Sequence, residues 1–164
     1  MPISRIRLFP DPILRQKAAP VTAFDPDLLR VIRKMERAMR RQPSGIGIAA
    51  PQIGIPLRVA LVDLSARISD AERLVLVNPE ILETRHPKGS REGCMSIPDY
   101  TGQLMRFDWI RLRCRNERGE TREKTCAGIE AVCIQHEVDH LNGLLFLDHI
   151  TSLKRDLIPR PRNG

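Results

Sequence analysis

Aromatic residues are scarce: four Phe, one Tyr and one Trp in 164 residues. Sites that stack nucleic-acid bases need aromatic faces, and no RNA-binding signature makes up the shortage. The net charge of +7 raises the question of a nucleic-acid partner. The basic residues are scattered, apart from a dense run between Arg30 and Arg41 and the Arg160-Pro161-Arg162 segment. The charge is therefore read as a solvated basic face with no specific nucleic-acid motif, compatible with proximity to an RNA-rich machine. No apolar run is long enough to span a bilayer, so no membrane association is expected. Met1–Arg5 leads into Pro10 and Pro12 without the apolar core of a secretion signal. Cysteine is also sparse: Cys94, Cys114, Cys126 and Cys133 form no C-x-x-C and no small-scaffold framework. They read as cytoplasmic thiols, one or more of them a candidate ligand.

What remains is an ordinary globular composition, 41% hydrophobic and 29% charged, in a chain long enough for one domain with a real core. Ile6–Leu14 reads as a short extended piece closed by two prolines. Asp25-Pro26 supplies an N-cap and a first-turn proline, and Leu28, Leu29, Ile32, Met35 and Met39 follow at helical spacing, predicting an amphipathic helix over 26–41. Residues 45–54, Gly-Ile-Gly-Ile-Ala-Ala-Pro-Gln-Ile-Gly, complete neither a phosphate loop nor a dinucleotide fingerprint. They read as a tight, buried extended segment with Gln52 as its one polar side chain. Strands are predicted over 57–64 and 73–78, with a continuation at 81–84 and a loop at 86–89. A hairpin is predicted from 109–115 and 121–126. A helix from Gly128 to Asn142 and an apolar run at 144–147 follow. This order implies an α+β domain: mostly antiparallel β-sheets packed around a central C-terminal helix, with an N-terminal amphipathic helix. Residues 1–150 are expected to form that domain and 151–164 a short basic, proline-containing tail that frays.

The helix at 128–142 carries His136-Glu137-x-x-His140. Positions four apart share a helix face about one turn apart. His136 and His140 can therefore hold one metal ion, and Glu137 stands beside them as a general base for a water that the ion activates. A catalytic site of this kind wants a third protein ligand. The downstream histidine of one protease pattern would fall at Phe146, no Glu follows Glu137, and Asp148 and Asp156 are possible but lie close behind the helix with no supporting pattern. The third ligand is therefore sought upstream, and Cys94, preceded by Gly93, is the best candidate, since a thiolate suits Zn²⁺ or Fe²⁺. A closed structural site that adds Cys133 is the competing arrangement. Cys133 lies seven residues before His140, about 10 Å along a helix, too far for bonds near 2 Å. It is better used as apolar wall.

Three segments in order, Gly-x-Gly-Ile-Ala-Ala-Pro-Gln at 45–52, Glu-Gly-Cys-Met-Ser at 92–96 and Gln-His-Glu-x-Asp-His at 135–140, resemble the motifs of the peptide deformylase family. The resemblance runs over nearly the whole chain, from Phe9-Pro10-Asp11-Pro12 to Phe146-Leu147-Asp148. It implies removal of the N-formyl group from the formylmethionine of newly made polypeptides in the cytoplasm, with release of formate. By the same resemblance Cys94, His136 and His140 hold one divalent ion, Fe²⁺ in this family, with Zn²⁺, Ni²⁺ or Co²⁺ able to substitute. Glu137 is then the proton carrier, while the Gln52 amide and the Met95 N–H are oxyanion donors. Gly45, Ile46 and Gly47 would pair with the peptide backbone, and Glu92 and Gly93 would also bind substrate. Ile46, Ile129, Val132 and Cys133 would wall the methionine pocket. Met95 and Ile48 stand where Leu is more usual. The long C-terminal helix by which many members dock on the ribosome has no counterpart in the short tail. The chain is expected to act as a monomer on formylmethionyl nascent peptides. The alternative is a non-catalytic or retargeted metal-binding member associated with ribosomes.

Overall fold

A computed structural model describes residues 2–43 and 45–161. Helix α1, Pro26–Arg40, starts where the Asp25 side chain accepts from the Leu28 N–H. Its buried face, Leu28, Ile32, Met35 and Met39, packs on Ile48, Leu61 and Val77. Five strands follow one another through the sheet: β1 Gly47–Ala49, β2 Val59–Val62, β3 Leu74–Cys94, β4 Ile97–Arg115 and β5 Thr121–Ala127. Every ladder is antiparallel. A short strand, β6 Leu157–Pro159, pairs with β4 at Tyr100–Gly102. Because β3 occupies one edge of β4, β5 and β6 share the other, at different heights.

Helix α2, Gly128–Leu141, leaves β5 directly through Gly128 at φ +62, a left-handed position that glycine takes without steric cost. The helix is apolar on more than one side, the signature of a buried rather than a surface helix. Ala131, Ile134, Val138 and Leu141 join Ala60, Val62, Leu76, Ile110 and Leu112 in one core. A smaller cluster of Leu14, Cys94, Ile97, Leu104, Leu145 and Phe146 closes the end of the molecule that holds Cys94. The expected α+β class, with antiparallel sheet around this helix, is the architecture observed.

Three local expectations fail. Residues 86–89 are not a loop: β3 runs through them, paired Pro87↔Phe107, Lys88↔Arg106 and Gly89↔Met105. The long partner strand overrides the local turn signals, and irregularity is absorbed by register shifts near Glu80 and Glu83 and by His86 at φ +59. The opening segment is not extended to its end; Asp11 caps a 3₁₀ turn, Pro12–Arg15, by accepting from Ile13 N–H at 3.0 Å. The tail does not simply fray. A short helix, α3 Leu153–Asp156, leads into β6. Pro159 is tolerated at the last position of a short strand, where the missing N–H costs little.

Candidate metal centre

Helix α2 brings the rings of His136 and His140 to a centroid separation of 5.0 Å, nearly edge to face. Cys94 is the last residue of β3, and a two-residue turn, Met95-Ser96, returns the chain to Ile97. Its Sγ lies 3.4 Å from His140 Nε2. The Cys94, His136 and His140 donor atoms all fall within 4.8 Å of one another. An ion bonded to sulfur at about 2.3 Å and to nitrogen at about 2.0 Å, at a tetrahedral angle, spaces its donors about 3.5 Å apart. The Cys94–His140 spacing matches that value, and the three donors converge closely enough to hold a small divalent ion.

The two cysteines near the site are electrostatically opposite. Burial works against ionisation of Cys94, yet the His140 charge and hydrogen bonds from both imidazoles hold its thiol well below the ordinary value. Burial pushes the Cys133 thiol well up, and the Glu137 charge adds to it. Cys133 Sγ is 3.9 Å from the Ile46 carbonyl and stands outside the three-donor group. Cys94 is thus disposed to be a thiolate ligand and Cys133 to be a neutral wall.

A layer of polar groups fixes the ligands. Glu92 Oε1 lies 2.8 Å from His136 Nδ1, which leaves Nε2 as that ring's donor. Arg106 donates to both Glu92 oxygens, at 2.7 and 2.9 Å, and to Asp139 at 2.6 Å. Burial alone would raise the Glu92 carboxyl, but the bonds from Arg106 and His136 outweigh it and push it down to about 2. His149 Nε2 meets Asp139 from outside at 2.8 Å. Gln135 clamps α2 to β4, accepting from Phe107 N–H at 3.0 Å and donating to its carbonyl at 2.7 Å. Arg106 and Ser96 escaped the sequence reading. Ser96 is visible only as part of a motif, and Arg106 has no local signal at all, being one arginine in a strand with many.

Glu137 is 3% exposed, and its Oε2 has no hydrogen-bond partner among the described residues. Burial pushes its carboxyl up to about 7 against the opposing charges of His136 and His140. Gln52 is held by its own backbone: Oε1 accepts from Ala49 N–H at 3.0 Å, and Nε2 donates to Ser96 Oγ at 3.1 Å and faces Cys94 Sγ at 3.6 Å. Its amide N–H₂ therefore points to the ligand side.

These groups open on a cleft of about 340 Å³, at the small end of ligand pockets. Gly45, Ile46 and Gly47 line one side and Glu92, Gly93, Cys94 and Met95 the other; Ile129, Val132 and Cys133 come from α2. Gln52, His136 and Glu137 also line it, and His140 lies behind, 1% exposed. All the residues singled out from the sequence are thus brought to one place. Strand β1 is the outermost of its sheet, which leaves an edge for an extended partner. Arg67, Arg91 and Arg160 also line the cleft, and nothing in the sequence pattern pointed to them.

The sequence model described as polypeptide deformylase matches residues 3–156. A peptide deformylase of Mesorhizobium japonicum is 43% identical over 159 residues, covering 96% of this chain and 90% of that one. The crystal structure of a peptide deformylase from Legionella pneumophila superposes with TM-score 0.87 at 38% identity, over 94% of this chain and 89% of that one. That of the Thermotoga maritima enzyme gives 0.85 at 38% identity, over 93% and 100%.

Proposed function

From its membership of the polypeptide deformylase family, we propose how this chain's residues divide the work of that family's reaction. It is a metal-dependent hydrolase that removes the formyl group from the N-terminal formylmethionine of new polypeptides, releasing formate. The observation that carries the assignment of roles is a buried carboxylate, Glu137, whose Oε2 has no hydrogen-bond partner among the described residues, next to three converging donors, Cys94, His136 and His140.

Cys94, His136 and His140 would hold a divalent ion, which would supply a Lewis acid able to bring the ionisation of water close to neutral pH. Fe²⁺ is the ion we assign, with Zn²⁺, Ni²⁺ or Co²⁺ as substitutes. Glu137 takes a proton from the attacking water and delivers one to the leaving amine. A carboxyl that burial holds above its ordinary value is suited to both halves of that task. Gln52 Nε2 and the Met95 N–H donate to the oxygen that gains charge as the formyl carbon becomes tetrahedral. Donors of that kind contribute roughly 2.7–4 kcal/mol each. Gly45, Ile46 and Gly47 pair with the peptide main chain, which makes recognition independent of most side chains, and Glu92 and Gly93 border the facing side. Ile129, Val132, Cys133 and Ile46 receive the methionine.

The catalytic domain is assigned to residues 1–150 and the basic tail to 151–164. No helix among the described residues is long and apolar enough to cross a membrane. A monomer acting in the cytoplasm, near the ribosome as chains emerge, suits a substrate of this kind. The test is formate release from a formyl-Met peptide by anaerobically prepared protein, with metal analysis alongside. Glu137→Gln should keep the metal and lose turnover. Full activity in that variant would remove Glu137 from the mechanism. Unchanged metal affinity in Cys94→Ala would remove Cys94 from the ligand set.

A further inference from the structure

The rim of the cleft is positive. Three arginines, Arg67, Arg91 and Arg160, line it together with two carboxylates, Glu92 and Glu137. Neither carboxylate is available to the arginines. Glu92 is engaged by Arg106 and His136, and Glu137 is buried at 3% exposure. Arg91 donates only to the Thr101 hydroxyl, at 3.3 Å, among the described residues. Among the described residues the rim therefore holds guanidinium groups without an acidic counterpart, in contrast to the paired Arg113, Arg122 and Arg155 elsewhere on the surface.

Arg160 is delivered to this rim by the backbone rather than by chance of a side chain. Strand β6 pairs with Tyr100–Gly102 of β4, and the Arg160 N–H continues the pairing by donating to the Asp99 carbonyl at 2.8 Å. The guanidinium then lies directly on Gly93, in space that a Cβ would fill. Gly93 adjoins Cys94, so the positive charge stands beside the segment that a bound peptide must pass on leaving the metal centre.

On the reading of the site given above, we propose that Arg160, with Arg91 and Arg67, selects formylmethionyl peptides carrying an acidic side chain at their second or third residue. The methionine occupies the apolar end of the cleft, and the next residues of an extended chain rise about 3.3 Å each, into the rim. An Asp or Glu there meets a planar, always-charged donor suited to carboxylates. A Lys there meets repulsion.

The experiment is formate release from C-terminally amidated formyl-Met-Ala-Glu, formyl-Met-Ala-Gln and formyl-Met-Ala-Lys, and from the matching series varied at the second residue. The metal-loaded enzyme should favour Glu over Lys in kcat/KM by about fivefold at low salt, and added salt should erode the ratio. Arg160→Gln should shrink the ratio at least twofold, and Arg160→Lys, which keeps the charge, should largely preserve it. Arg118→Gln, which removes a distant surface charge, should leave the ratio as it is. The proposal is overturned by a Glu/Lys ratio near one in the unaltered enzyme, or by a ratio that survives Arg160→Gln. An equal loss in Arg118→Gln also overturns it, because only net charge would then matter. Failure of every peptide to release formate would instead sink the deformylase reading. Equilibrium binding of the same peptides would then decide the charge preference by itself, a preference for Glu supporting it and none overturning it.

Discussion

Glu92 Oε1 lies 2.8 Å from His136 Nδ1, and the same carboxylate receives two bonds from Arg106. The contact leaves Nε2 as the imidazole nitrogen that would face a bound ion, and it increases that nitrogen's basicity. Outer partners of this kind typically change metal affinity about 10–100-fold when lost. Glu92→Gln keeps the shape and removes the charge. It should weaken metal binding by that order, measured by competition with a chelator. Unchanged affinity would mean that the ring is oriented by packing alone.

The same carboxylate links stability to acid. The Glu92 carboxyl falls from an ordinary 4.5 to about 2 in the folded protein. A depressed folded-state value stabilises fully above about pH 4.5, and that contribution is lost as pH falls from there towards 2. The difference corresponds to ~3 kcal/mol as an upper figure for one group. Urea unfolding of chelator-treated protein at about pH 6 and pH 3 should show a larger acid loss in the unaltered chain than in Glu92→Gln. Equal losses would assign acid sensitivity to other carboxylates.

The elements legible in the sequence are those whose signals are local. Asp25-Pro26 with the Leu28, Ile32, Met35, Met39 series marks α1 to within a residue. Spacing alone puts His136 and His140 on one face of α2. Cys94 is legible as the best candidate, because the possible downstream ligands, Asp148 and Asp156, lie close behind the helix with no supporting pattern. What stayed hidden depends on long-range pairing. The 21-residue β3 stays paired with β4 through turn-like residues 86–89, and no local pattern announces its partner. Arg106 is likewise indistinguishable from Arg111 or Arg113 until the fold turns it inward, 5% exposed. Arg160 reaches the cleft only because β6 finds an edge of β4 left open beyond β5.

Glu137 should set the acid limb of the pH–rate profile. It works as a base only when ionised, and burial pushes it up to about 7. A bound cation would add to the opposing pull of His136 and His140, so the limb should lie at or below about 7. Below it, kcat/KM should fall about tenfold per pH unit. A profile flat from about pH 8 to pH 4 would show that no carboxyl of raised value limits the reaction.

Gly47 touches the same carboxylate from the substrate side. A Cβ there would lie 2.9 Å from Glu137 Oε1 and 2.8 Å from Cys133 Sγ, distances that packed atoms do not tolerate. Glu137 and Cys133 both sit on buried α2, so the helix cannot withdraw without disturbing the core it shares with Ile134 and Val138. The strain of Gly47→Ala must then fall on the Glu137 rotamer or on β1, which is three residues long and paired on one side only. Either outcome misplaces a reacting group by a fraction of an ångström to an ångström, enough for about 10²-fold in rate. The atoms nearest the new methyl belong to Cys133 and Glu137 and not to Cys94, His136 or His140, so metal content should stay the same. Turnover of formyl-Met-Ala-Ser and bound metal, measured on one preparation of Gly47→Ala, separate these effects. Activity within threefold of the unaltered enzyme would show that β1 yields freely and that its close approach to Glu137 is incidental.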